Sequence, residues 1–363
     1  MDKTHILVYG MTDNPGGIET YILNLFKFLN KDEIIFDFVT DSSAIVYNDF
    51  FKKYGSRVHF IHPKSKNLWY HLTDWKNILY NYPEYKVVYF NILDAGAVFS
   101  MLVPWLLRRR IVVHSHNGDT NKKYLHYLCR PLLCFMASDY ISCSKLASSY
   151  MFLSTKAKQA LIIPNAIDID KFKYNPLQRE YLRSKLGFGK KFIVCHIGRI
   201  TKQKNPFGVI DIFDALYHKY SNTILLYVGT GDMENEIKQY ALTKESCDNI
   251  QFYGVRRDIP DILQISDVFL FPSFYEGLGI AAIEAQAAGV PCVLSDTIPK
   301  EVKVMPNVIF KSLQYDSVDN WAQALLDAKR FERSTNQQAL IERGYDFRNC
   351  SYYYNQLLEC LMR

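Results

Sequence analysis

The feature that most constrains the fold of this chain is a regular alternation of short apolar runs with longer helical patterns. The runs are rich in β-branched and aromatic residues and lie at 6–9, 34–40, 87–91, 111–114, 161–163, 192–197, 224–228, 250–253, 268–271, 292–294 and 308–310. Strands of a parallel sheet are buried on both faces, so they form continuous apolar runs, and the helices between them make the crossovers. The alternation therefore predicts an α/β architecture with doubly wound parallel sheets.

The length of the chain and one interruption of this pattern predict two domains. The chain has 363 residues, more than a single hydrophobic core usually supports. A polar stretch at 168–190 breaks the alternation, which restarts at 192, and we place the boundary at 170. Doubly wound sheets bind ligands at the carboxyl ends of their strands. Two such domains facing each other would therefore hold a substrate in the cleft between them.

Several classes of protein are excluded by what the sequence lacks. The N-terminal residues lead straight into the first apolar run, without the basic region, long apolar stretch and cleavage site of a signal peptide. The longest apolar stretch, 95–107, is short of the ~20 residues that cross a bilayer. The eight cysteines include no Cys-x-x-Cys spacing and resemble reduced core residues. We therefore expect a cytoplasmic globular protein with no nucleic-acid partner.

Positive charge is concentrated in one part of the sequence. The net charge of the chain is +6, and residues 100–160 contain nine Lys or Arg but only two acidic residues, Asp119 and Asp139. Such a run fits a solvated surface as well as it fits a contact with phosphate groups or a membrane. Both interpretations stay open. Under the second, the protein would be peripheral on the inner face of the cell membrane.

The loop after the run at 192–197 carries two cations in a position that suits an anionic ligand. It reads G-R-I-T-K-Q-K-N-P at 198–206, and a helical pattern begins near its end. Arg199 can bind phosphate oxygens through its planar fork of donors, and Lys204 adds a compact charge. Two fixed cations could neutralise a leaving diphosphate without a metal ion. The loop therefore predicts a diphosphate site, and a solvated basic loop is the plain alternative.

The string E-G-L-G-I-A-A-I-E at 276–284 is the strongest signal in the sequence. It follows a predicted strand and ends in an alanine-rich helical pattern. Gly277 and Gly279 allow backbone amides to approach a ligand closely at the start of that helix. Glu276 and Glu284 supply carboxylates, the usual acceptors for sugar hydroxyls. The string predicts a ligand-binding helix N-terminus, and the alternative is such a terminus with incidental acidic residues.

Three other motifs are weaker. Gly16 and Gly17 lie in a loop between the first strand and a helical pattern, which fits either an anion site or a plain turn. His114 and His116 share one face at a strand end, where a ligand contact and a hydrogen-bonded core role stay open. Zinc is the poorer interpretation of this pair because no third ligand is near. The D-x-D string at 168–170 falls at the predicted boundary, so we assign no metal site.

Together, four motifs closely resemble those of glycosyltransferase family 4. They are G-G-I-E at 16–19, I-P-N-A-I-D at 163–168, G-R-I-T-K-Q-K-N-P at 198–206 and E-G-L-G-I-A-A-I-E at 276–284, and the likeness covers nearly the whole chain. The segment 273–293 resembles bacterial members that build capsular or exopolysaccharide. The resemblance implies a GT-B fold with two Rossmann-like domains facing a central cleft, retaining transfer, and neither cofactor nor metal ion. It also implies that the C-terminal helix, which periodicity leaves without a partner, returns to the N-terminal domain. The domains would then be 1–170 with 345–363, and 171–344.

The resemblance further implies roles for individual residues. The donor is expected to be a UDP-sugar, with Arg199 and Lys204 on its diphosphate and Glu284 on its ribose hydroxyls. His116 would line the pocket of the donor sugar. Glu276 and the backbone of Gly277, Leu278, Gly279 and Ile280 would contact the donor sugar and its phosphate. Gly16 and Gly17 would face a phosphate. The base would be contacted by Gly254, Val255 and Arg256.

The expected acceptor is a glycan or lipid-linked glycan in surface polysaccharide biosynthesis. In the family, retention is ascribed to front-side attack in which the departing phosphate oxygen takes the acceptor proton, so we name no general base, and a nucleophilic role for Glu276 stays open. A sugar-nucleotide epimerase and a non-catalytic nucleotide-sugar-binding protein are alternatives with the same fold. An NAD-dependent dehydrogenase is disfavoured, because the glycines at Gly229 and Gly231 are followed by Glu234 where a dinucleotide fingerprint needs its third glycine.

Overall fold

The computed structural model of the protein describes residues 3–333 and 337–363. The chain divides into two compact units, each with its own sheet and core. Unit 1 consists of Met1–Ile167 with Phe347–Arg363, and unit 2 consists of Asp168–Asp346. The divisions thus lie at 167/168 and 346/347, whereas the sequence predicts 170/171 and 344/345.

Unit 1 is built on a seven-stranded parallel sheet. Its strands are β1 (Thr4–Tyr9), β2 (Ile34–Thr40), β3 (Val58–Phe60), β4 (Val87–Ile92), β5 (Arg110–Ser115), β6 (Asp139–Ser142) and β7 (Leu161–Ile162). Their order in the sheet is β3-β2-β1-β4-β5-β6-β7, and neighbouring strands run parallel. The strand order therefore reverses between β1 and β4, where a doubly wound sheet opens its ligand-binding crevice.

Helices cover both faces of this sheet, which explains why its interior strands carry apolar residues on both faces. The helices are α1 (Gly17–Phe28), α2 (Asn48–Lys52), α3 (Leu68–Asn81), α4 (Val98–Leu106), α5 (Lys123–Met136), α6 (Lys145–Met151) and α7 (Ser154–Gln159). On β1, Leu7 lies in one core together with Trp75 of α3, whereas Ile6 and Val8 lie in a second core together with Phe26 of α1. Successive side chains of a strand point to opposite faces, so both sets must be apolar.

Unit 2 repeats the architecture with six parallel strands. They are β8 (Phe192–Ile197), β9 (Thr223–Val228), β10 (Ile250–Gly254), β11 (Val268–Phe271), β12 (Cys292–Ser295) and β13 (Val308–Lys311). The helices are α8 (Pro176–Lys185), α9 (Pro206–Lys219), α10 (Glu234–Ala241), α11 (Ile259–Ile265), α12 (Ile280–Ala287), α13 (Val318–Ala328) and α14 (Gln338–Glu342). The sheet order β10-β9-β8-β11-β12-β13 is the 3-2-1-4-5-6 order of a Rossmann fold. The reversal point of this sheet lies between β8 and β11.

The C-terminal helix α15 (Ser351–Met362) belongs to unit 1 and packs against α1. Tyr354 is fully buried, and its ring centroid lies 5.2 Å from that of Phe28. Leu357 and Leu361, one and two turns further on, are buried in the same core. The apolar spacing of α15 therefore matches the face that it presents to unit 1.

The predicted α/β class with doubly wound parallel sheets is confirmed in both units. The apolar stretch 95–107 forms a short 3-10 turn followed by α4. Within 3–333 and 337–363, no helix combines the length and the apolarity that a bilayer crossing requires.

Candidate functional site

Two loops of unit 2 meet at the point where the strand order reverses. One loop follows β8 and carries Lys204, and the other follows β11 and carries Glu276. Lys204 Nζ donates a hydrogen bond to Glu276 Oε1 over 2.5 Å. This reversal point is the usual ligand-binding position of a doubly wound sheet. The structure therefore brings two of the predicted site residues into direct contact there.

Two hydrogen bonds, both involving Gln203, connect the same two loops. Phe274 N donates to the Gln203 carbonyl oxygen at 2.9 Å, and the Gln203 side-chain amide donates to the Tyr275 carbonyl oxygen at 2.9 Å. Sequence reasoning did not single out Gln203, because its partners lie far along the chain and only the adjacency of β8 and β11 brings them near. Gln203 thus holds the loop beside Lys204 in register with the loop that carries Glu276.

The Lys204–Glu276 ion pair is shielded from water. The two side chains are only 14% and 8% exposed, and the ammonium group also lies 4.9 Å from the centre of the Phe271 ring. A charge in such surroundings is tolerated when it is paired, and removing one partner leaves a costly isolated charge. Lys204 is therefore held as a cation at the carboxyl end of the sheet before any ligand arrives.

Arg199 is exposed on the loop after β8, in contrast to Lys204. In the part of the chain that the structure describes, its guanidinium has no hydrogen-bond or ion-pair partner. A guanidinium presents five donors in a planar fork that suits phosphate oxygens. Arg199 is thus a cation whose donors are all free to meet an anionic ligand.

Two glycines after β9 support the backbone of the Arg199 loop. A Cβ atom added to Gly229, whose φ is +133°, would lie 2.1 Å from the Gly198 carbonyl oxygen, and one added to Gly231 would lie 2.2 Å from the Ile200 carbonyl oxygen. Ile200 N also donates to the Thr230 carbonyl oxygen at 2.9 Å. The sequence shows these glycines only as an incomplete dinucleotide fingerprint. Their structural role is to let two backbones touch on either side of Arg199.

A buried histidine lies beneath these loops. His196 Nδ1 donates to the Leu270 carbonyl oxygen at 2.9 Å, which leaves Nε2 as an acceptor without a hydrogen-bond partner among the described residues. A Cβ atom on Gly198 would lie 3.1 Å from that nitrogen. Burial, helped by the positive charge of Lys204, lowers the pKa of His196 to about 4. The imidazole is therefore neutral and adds no further positive charge under Lys204.

Glu284 lies on α12, the helix that follows the Glu276 loop. Its carboxylate has no hydrogen-bond or ion-pair partner within the described ranges. Burial raises the pKa of Glu284 from the ordinary 4.5 to about 7. The protein itself compensates the charge of this carboxyl group poorly, and hydroxyl donors from a ligand would supply hydrogen-bond partners.

The start of α12 depends on a glycine. Gly279 is the N-cap residue and has φ +92°, a left-handed conformation that other residues adopt only with strain. Its neighbours Gly277 and Leu278 are buried, and Ile280 opens the helix. The first amides of a helix have no intrahelical acceptor and carry partial positive charge, so this end of α12 favours a negatively charged group.

The segment predicted to read the base follows β10. Gly254 adopts φ +63°, and its carbonyl oxygen accepts a hydrogen bond from Gly229 N at 2.8 Å. Val255 is 55% exposed, and Arg256 forms an ion pair with Asp258 at 2.5 Å. The hydrogen bond between them raises the pKa of Arg256 and lowers that of Asp258. The segment is thus tied to the glycine turn that supports the Arg199 loop.

In unit 1, His116 lies at the carboxyl end of β5 and is buried. Its Nε2 donates to Asn91 Oδ1 at 2.9 Å, which leaves Nδ1 as an acceptor that has no partner within the described residues. The ring of His114 lies 4.0 Å away, centroid to centroid. Burial lowers the pKa of His116 to about 3. His116 can therefore accept a hydrogen bond in its neutral form.

The glycine loop before α1 is closed by the first turn of that helix. Gly16 is the N-cap residue and Gly17 begins the helix. A Cβ atom on Gly16 would lie 2.8 Å from an oxygen of Glu19, whose other oxygen accepts hydrogen bonds from Thr12 N and Thr12 Oγ1 at 3.2 and 2.7 Å. The absence of a side chain at Gly16 thus lets the Glu19 carboxylate reach back across the loop.

A cavity of about 180 Å³ opens at the carboxyl ends of β1, β2 and β4 in unit 1. Its lining includes Asp41, Lys64, Asp94 and Asn91, the residue that also accepts from His116. Sequence reasoning gave no signal for Asp41, Lys64 or Asp94, because each stands alone in its loop. The cavity lies where the strand order of unit 1 reverses, as expected for a ligand site.

The described residues include no cluster of side chains that suits a metal ion. Within 3–333 and 337–363, no group of three or more His, Cys, Asp or Glu side chains is arranged to hold an ion. Asp168 of the D-x-D string forms an ion pair with Lys171 at 3.2 Å. Arg199, Lys204, Glu276, Glu284 and the start of α12 remain the chemically distinctive groups of unit 2.

Unit 2 resembles a known protein family, and the chain as a whole has relatives among known proteins. Residues 178–342 match the family described as glycosyl transferases group 1. Putative glycosyltransferase EpsF of Bacillus subtilis (strain 168) is 26% identical over 349 residues, which cover 92% of this chain and 90% of that protein. The capsular polysaccharide biosynthesis glycosyltransferase CapM of Staphylococcus aureus is 29% identical over 48% of each chain.

A solved structure extends the likeness to the fold of the whole chain. The Anabaena protein Alr3699/HepE in complex with UDP-glucose superimposes with a TM-score of 0.81 at 18% identity, covering 98% of this chain and 100% of that chain. The fold is therefore that of the GT-B glycosyltransferases. Together with the family match to unit 2, the two relatives support a glycosyltransferase of the GT-B type that is similar to proteins of bacterial polysaccharide biosynthesis.

Proposed function

We propose that the protein is a retaining glycosyltransferase that moves a sugar from a UDP-sugar to a glycan or lipid-linked glycan in surface polysaccharide biosynthesis. The observation that carries the proposal is the largely water-shielded Lys204–Glu276 pair at the reversal point of unit 2. The loop that carries Lys204 also carries Arg199, which has no hydrogen-bond or ion-pair partner among the described residues. A UDP-sugar donor is supported by the structural neighbour, which was solved in complex with UDP-glucose. A role in surface polysaccharide biosynthesis is supported by the similarity to CapM, a capsular polysaccharide biosynthesis glycosyltransferase.

Arg199 and Lys204 bind the diphosphate of the donor and stabilise the charge that develops as it departs. Lys204 is already charged and fixed, and the donors of Arg199 are free, so little reorganisation is needed when the negative charge grows. The start of α12 adds partial positive charge to the same region. These protein groups perform the neutralisation that a metal ion performs in other transferases, and the proposed reaction therefore proceeds without one.

Two carboxylates bind the sugars of the donor. Glu284 accepts hydrogen bonds from the ribose hydroxyls, which supply partners that the described residues of the protein do not. Glu276 and the backbone of 277–280 contact the transferred sugar and its phosphate. Gly254, Val255 and Arg256 lie along the base, and Gly16 and Gly17 face a phosphate.

Transfer forms one bond and breaks another on the same face of the sugar. The bond from the anomeric carbon to the β-phosphate oxygen breaks, the bond to the acceptor hydroxyl oxygen forms, and the hydroxyl proton passes to the departing phosphate. Neutral His116 accepts a hydrogen bond from the donor sugar through Nδ1 and takes no part in this proton transfer. The reaction needs no further general base from the protein.

The test is turnover of a UDP-sugar panel with lipid-linked and free glycan acceptors, followed by mass spectrometry of the products. Lys204→Ala should lose transfer, whereas Lys202→Ala, an exposed lysine in the same loop, should keep it. Glu276→Gln should still bind UDP in calorimetry but transfer no sugar. A wild-type protein that binds no nucleotide-sugar would refute the proposal. Isomerised UDP-sugar without an acceptor would indicate an epimerase, and donor binding without turnover of any acceptor would indicate a non-catalytic protein.

A further inference from the structure

The side chain of Asn91 connects the end of β1 to His116. Asn91 is buried near the carboxyl end of β4, the strand that lies between β1 and β5 in the sheet. Its Nδ2 donates a hydrogen bond to the Tyr9 carbonyl oxygen at 3.4 Å, and its Oδ1 accepts one from His116 Nε2 at 2.9 Å. An amide group has a donating end and an accepting end, so the bond to Tyr9 leaves the oxygen to face β5. The backbone of β1 thus fixes the orientation of the Asn91 amide.

The orientation of this amide decides which nitrogen of His116 carries the proton. A neutral imidazole has one protonated nitrogen and one nitrogen with a free lone pair. The oxygen of Asn91 can only accept, so Nε2 must donate, and Nδ1 is left as the acceptor. This Nδ1 is buried and has no hydrogen-bond partner among the described residues. A buried acceptor without a partner costs free energy, so the arrangement favours a ligand that donates to it.

The backbone at Asn91 is held from both sides. Gly10, directly after β1, has φ +115°, and a Cβ atom there would lie 2.2 Å from the Asn91 carbonyl oxygen. In the sheet, Tyr9 pairs with Phe90, and Asn91 pairs with His114 of β5. The glycine lets the end of β1 approach β4 this closely. The position from which the Asn91 side chain reaches His116 is therefore set by the strands themselves.

The titratable side chains packed around His116 are uncharged at neutral pH. The rings of His114 and Tyr21 lie 4.0 and 5.2 Å from the His116 ring, centroid to centroid. Tyr89 shares a hydrogen bond of 2.6 Å with His114 Nδ1, and Tyr354 of α15 packs edge-on against Tyr21. Burial raises the pKa of each of these tyrosines and lowers the pKa of His114. None of these groups supplies a charge, so hydrogen bonding decides the tautomer of His116.

We propose that Asn91 is a positioning residue that holds His116 in the tautomer whose Nδ1 accepts a hydrogen bond from a hydroxyl of the donor sugar. The inference rests on the proposed function, which assigns that contact to His116, and it names the residue on which the contact depends. Asn91 acts through His116 and need not touch the donor itself. A neutral histidine can carry its proton on either nitrogen, and the bond made by one nitrogen selects the role of the other.

The tautomer is measured directly by NMR on protein labelled with nitrogen-15 in its histidine rings. In the wild type, without any ligand, His116 should show a protonated Nε2 and an unprotonated Nδ1 at neutral pH. His196 is the internal control, because its Nδ1 donates to the Leu270 carbonyl oxygen and it should show the opposite tautomer. The spectrum of His116→Gln identifies the His116 signals by their loss. A protonated Nδ1 in His116 would overturn the proposal, whether or not the protein transfers a sugar.

The variant Asn91→Leu removes the acceptor at similar side-chain volume. Turnover of a UDP-sugar should fall by roughly tenfold to hundredfold, because Nε2 loses its partner and the ring loses its orientation. Binding of UDP alone should stay as in the wild type, which also shows that the variant is folded. The matched control Asn24→Leu removes another buried amide of unit 1, one that donates to the Ala166 carbonyl oxygen, and should keep its turnover. Full turnover in Asn91→Leu, or an equal loss in both variants, would overturn the proposal but leave the proposed function standing.

The variant Asn91→Asp separates positioning from packing. Its carboxylate still accepts from Nε2, but it also favours the uptake of a proton by the new carboxyl–imidazole pair. That proton ends the acceptor role of Nδ1 in either form, because an imidazolium is protonated on both nitrogens, and a protonated carboxyl group donates to Nε2 and leaves the imidazole proton on Nδ1.

Turnover of Asn91→Asp should therefore lie within roughly tenfold of the wild type at about pH 9 and fall as the pH drops. The wild type should show no such ionisation of His116 between about pH 5 and pH 9, since burial lowers the pKa of its imidazole to about 3. A loss in Asn91→Asp that equals the loss in Asn91→Leu at every pH would overturn the proposal. A wild type that turns over no UDP-sugar would refute the proposed function instead, and the tautomer measurement would still test the geometry.

Discussion

Replacing Glu284 with Gln should stabilise the folded protein at neutral pH and, at the same time, weaken donor binding. Glu284 has no partner within the described residues, and burial raises its pKa from 4.5 to about 7. The folded state therefore resists ionisation of this group, whereas the unfolded state does not. Glutamine has nearly the same shape but carries no charge, so it removes the penalty without creating a cavity.

The size of the effect follows from the difference between the two pKa values. A group whose pKa is raised in the folded state costs stability as pH rises from the unfolded value through the folded one. The difference between 4.5 and about 7 corresponds to roughly 3 kcal/mol. The gain of Glu284→Gln over the wild type should therefore be roughly 1 kcal/mol at about pH 5 and approach 3 kcal/mol at about pH 8. The larger figure is an upper bound, because water reaches part of the side chain.

Urea unfolding at these two pH values measures the predicted gain. The matched control is Glu180→Gln, which neutralises an exposed carboxylate on α8 and should change the free energy of unfolding by less than about 0.5 kcal/mol. Comparing each variant with the wild type at the same pH removes the contributions of all other titrating groups. The difference between the two pH values then reports Glu284 alone.

Calorimetry with UDP provides the functional half of the prediction. An ionised carboxylate that accepts hydroxyl hydrogen bonds is worth about 1.5–3 kcal/mol, so Glu284→Gln should bind UDP roughly tenfold to hundredfold more weakly. In the wild type, affinity should also fall as pH drops below about 7, and this dependence should vanish in the variant. A variant that is less stable than the wild type at about pH 8, or that binds UDP equally well, would refute the reasoning.

Three further substitutions have clear expected outcomes. Lys204→Ala should lower the free energy of unfolding by roughly 3 kcal/mol, because Glu276 stays buried without its partner. The same variant should bind UDP more weakly in calorimetry. The control Lys202→Ala should change neither the stability nor the binding. Gly231→Ala should weaken UDP binding and lower the urea midpoint, since its Cβ would lie 2.2 Å from a carbonyl oxygen of the Arg199-bearing loop. His116→Gln should reduce turnover but keep the shape of the pH–rate profile between about pH 5 and pH 9, because a pKa of about 3 leaves the imidazole neutral throughout. A lost ionisation in that profile would contradict the proposed role of His116.

Strands β3 and β6 were missed in the sequence analysis, because neither strand contains the continuous apolar run on which the strand predictions depend. Continuous apolar runs are typical of strands that are buried on both faces. β3 (Val58–Phe60) lies at the edge of its sheet and is partly exposed, and β6 begins with the half-buried Asp139 and Tyr140. The central strand β2 (Ile34–Thr40) is buried at every position, and its run predicted both ends correctly.

The contact between Lys204 and Glu276 could not be predicted from the sequence, although both residues could. Each residue was predicted because it lies in a loop after a predicted strand and carries a charge that suits the expected ligand. Their meeting depends on β8 and β11 being neighbours in the sheet, although β9 and β10 lie between them along the chain. Local pattern contains no information about that adjacency. For the same reason, the sequence showed Gly229 and Gly231 only as an incomplete dinucleotide fingerprint. Their close contact with the backbone of the loop after β8 could not be seen in it.

The charged groups of the unit 2 site compensate one another unequally. Glu276 neutralises Lys204, burial keeps His196 uncharged, and burial favours the protonated form of Glu284 up to about pH 7. Arg199, by contrast, is exposed and has no hydrogen-bond or ion-pair partner among the described residues. Under the proposed function, a diphosphate that reaches Lys204 would compete with Glu276 for its ammonium group, and this competition would free the Glu276 carboxylate for the donor sugar. The proposed function would then make the availability of the Glu276 carboxylate depend on the anionic part of the donor.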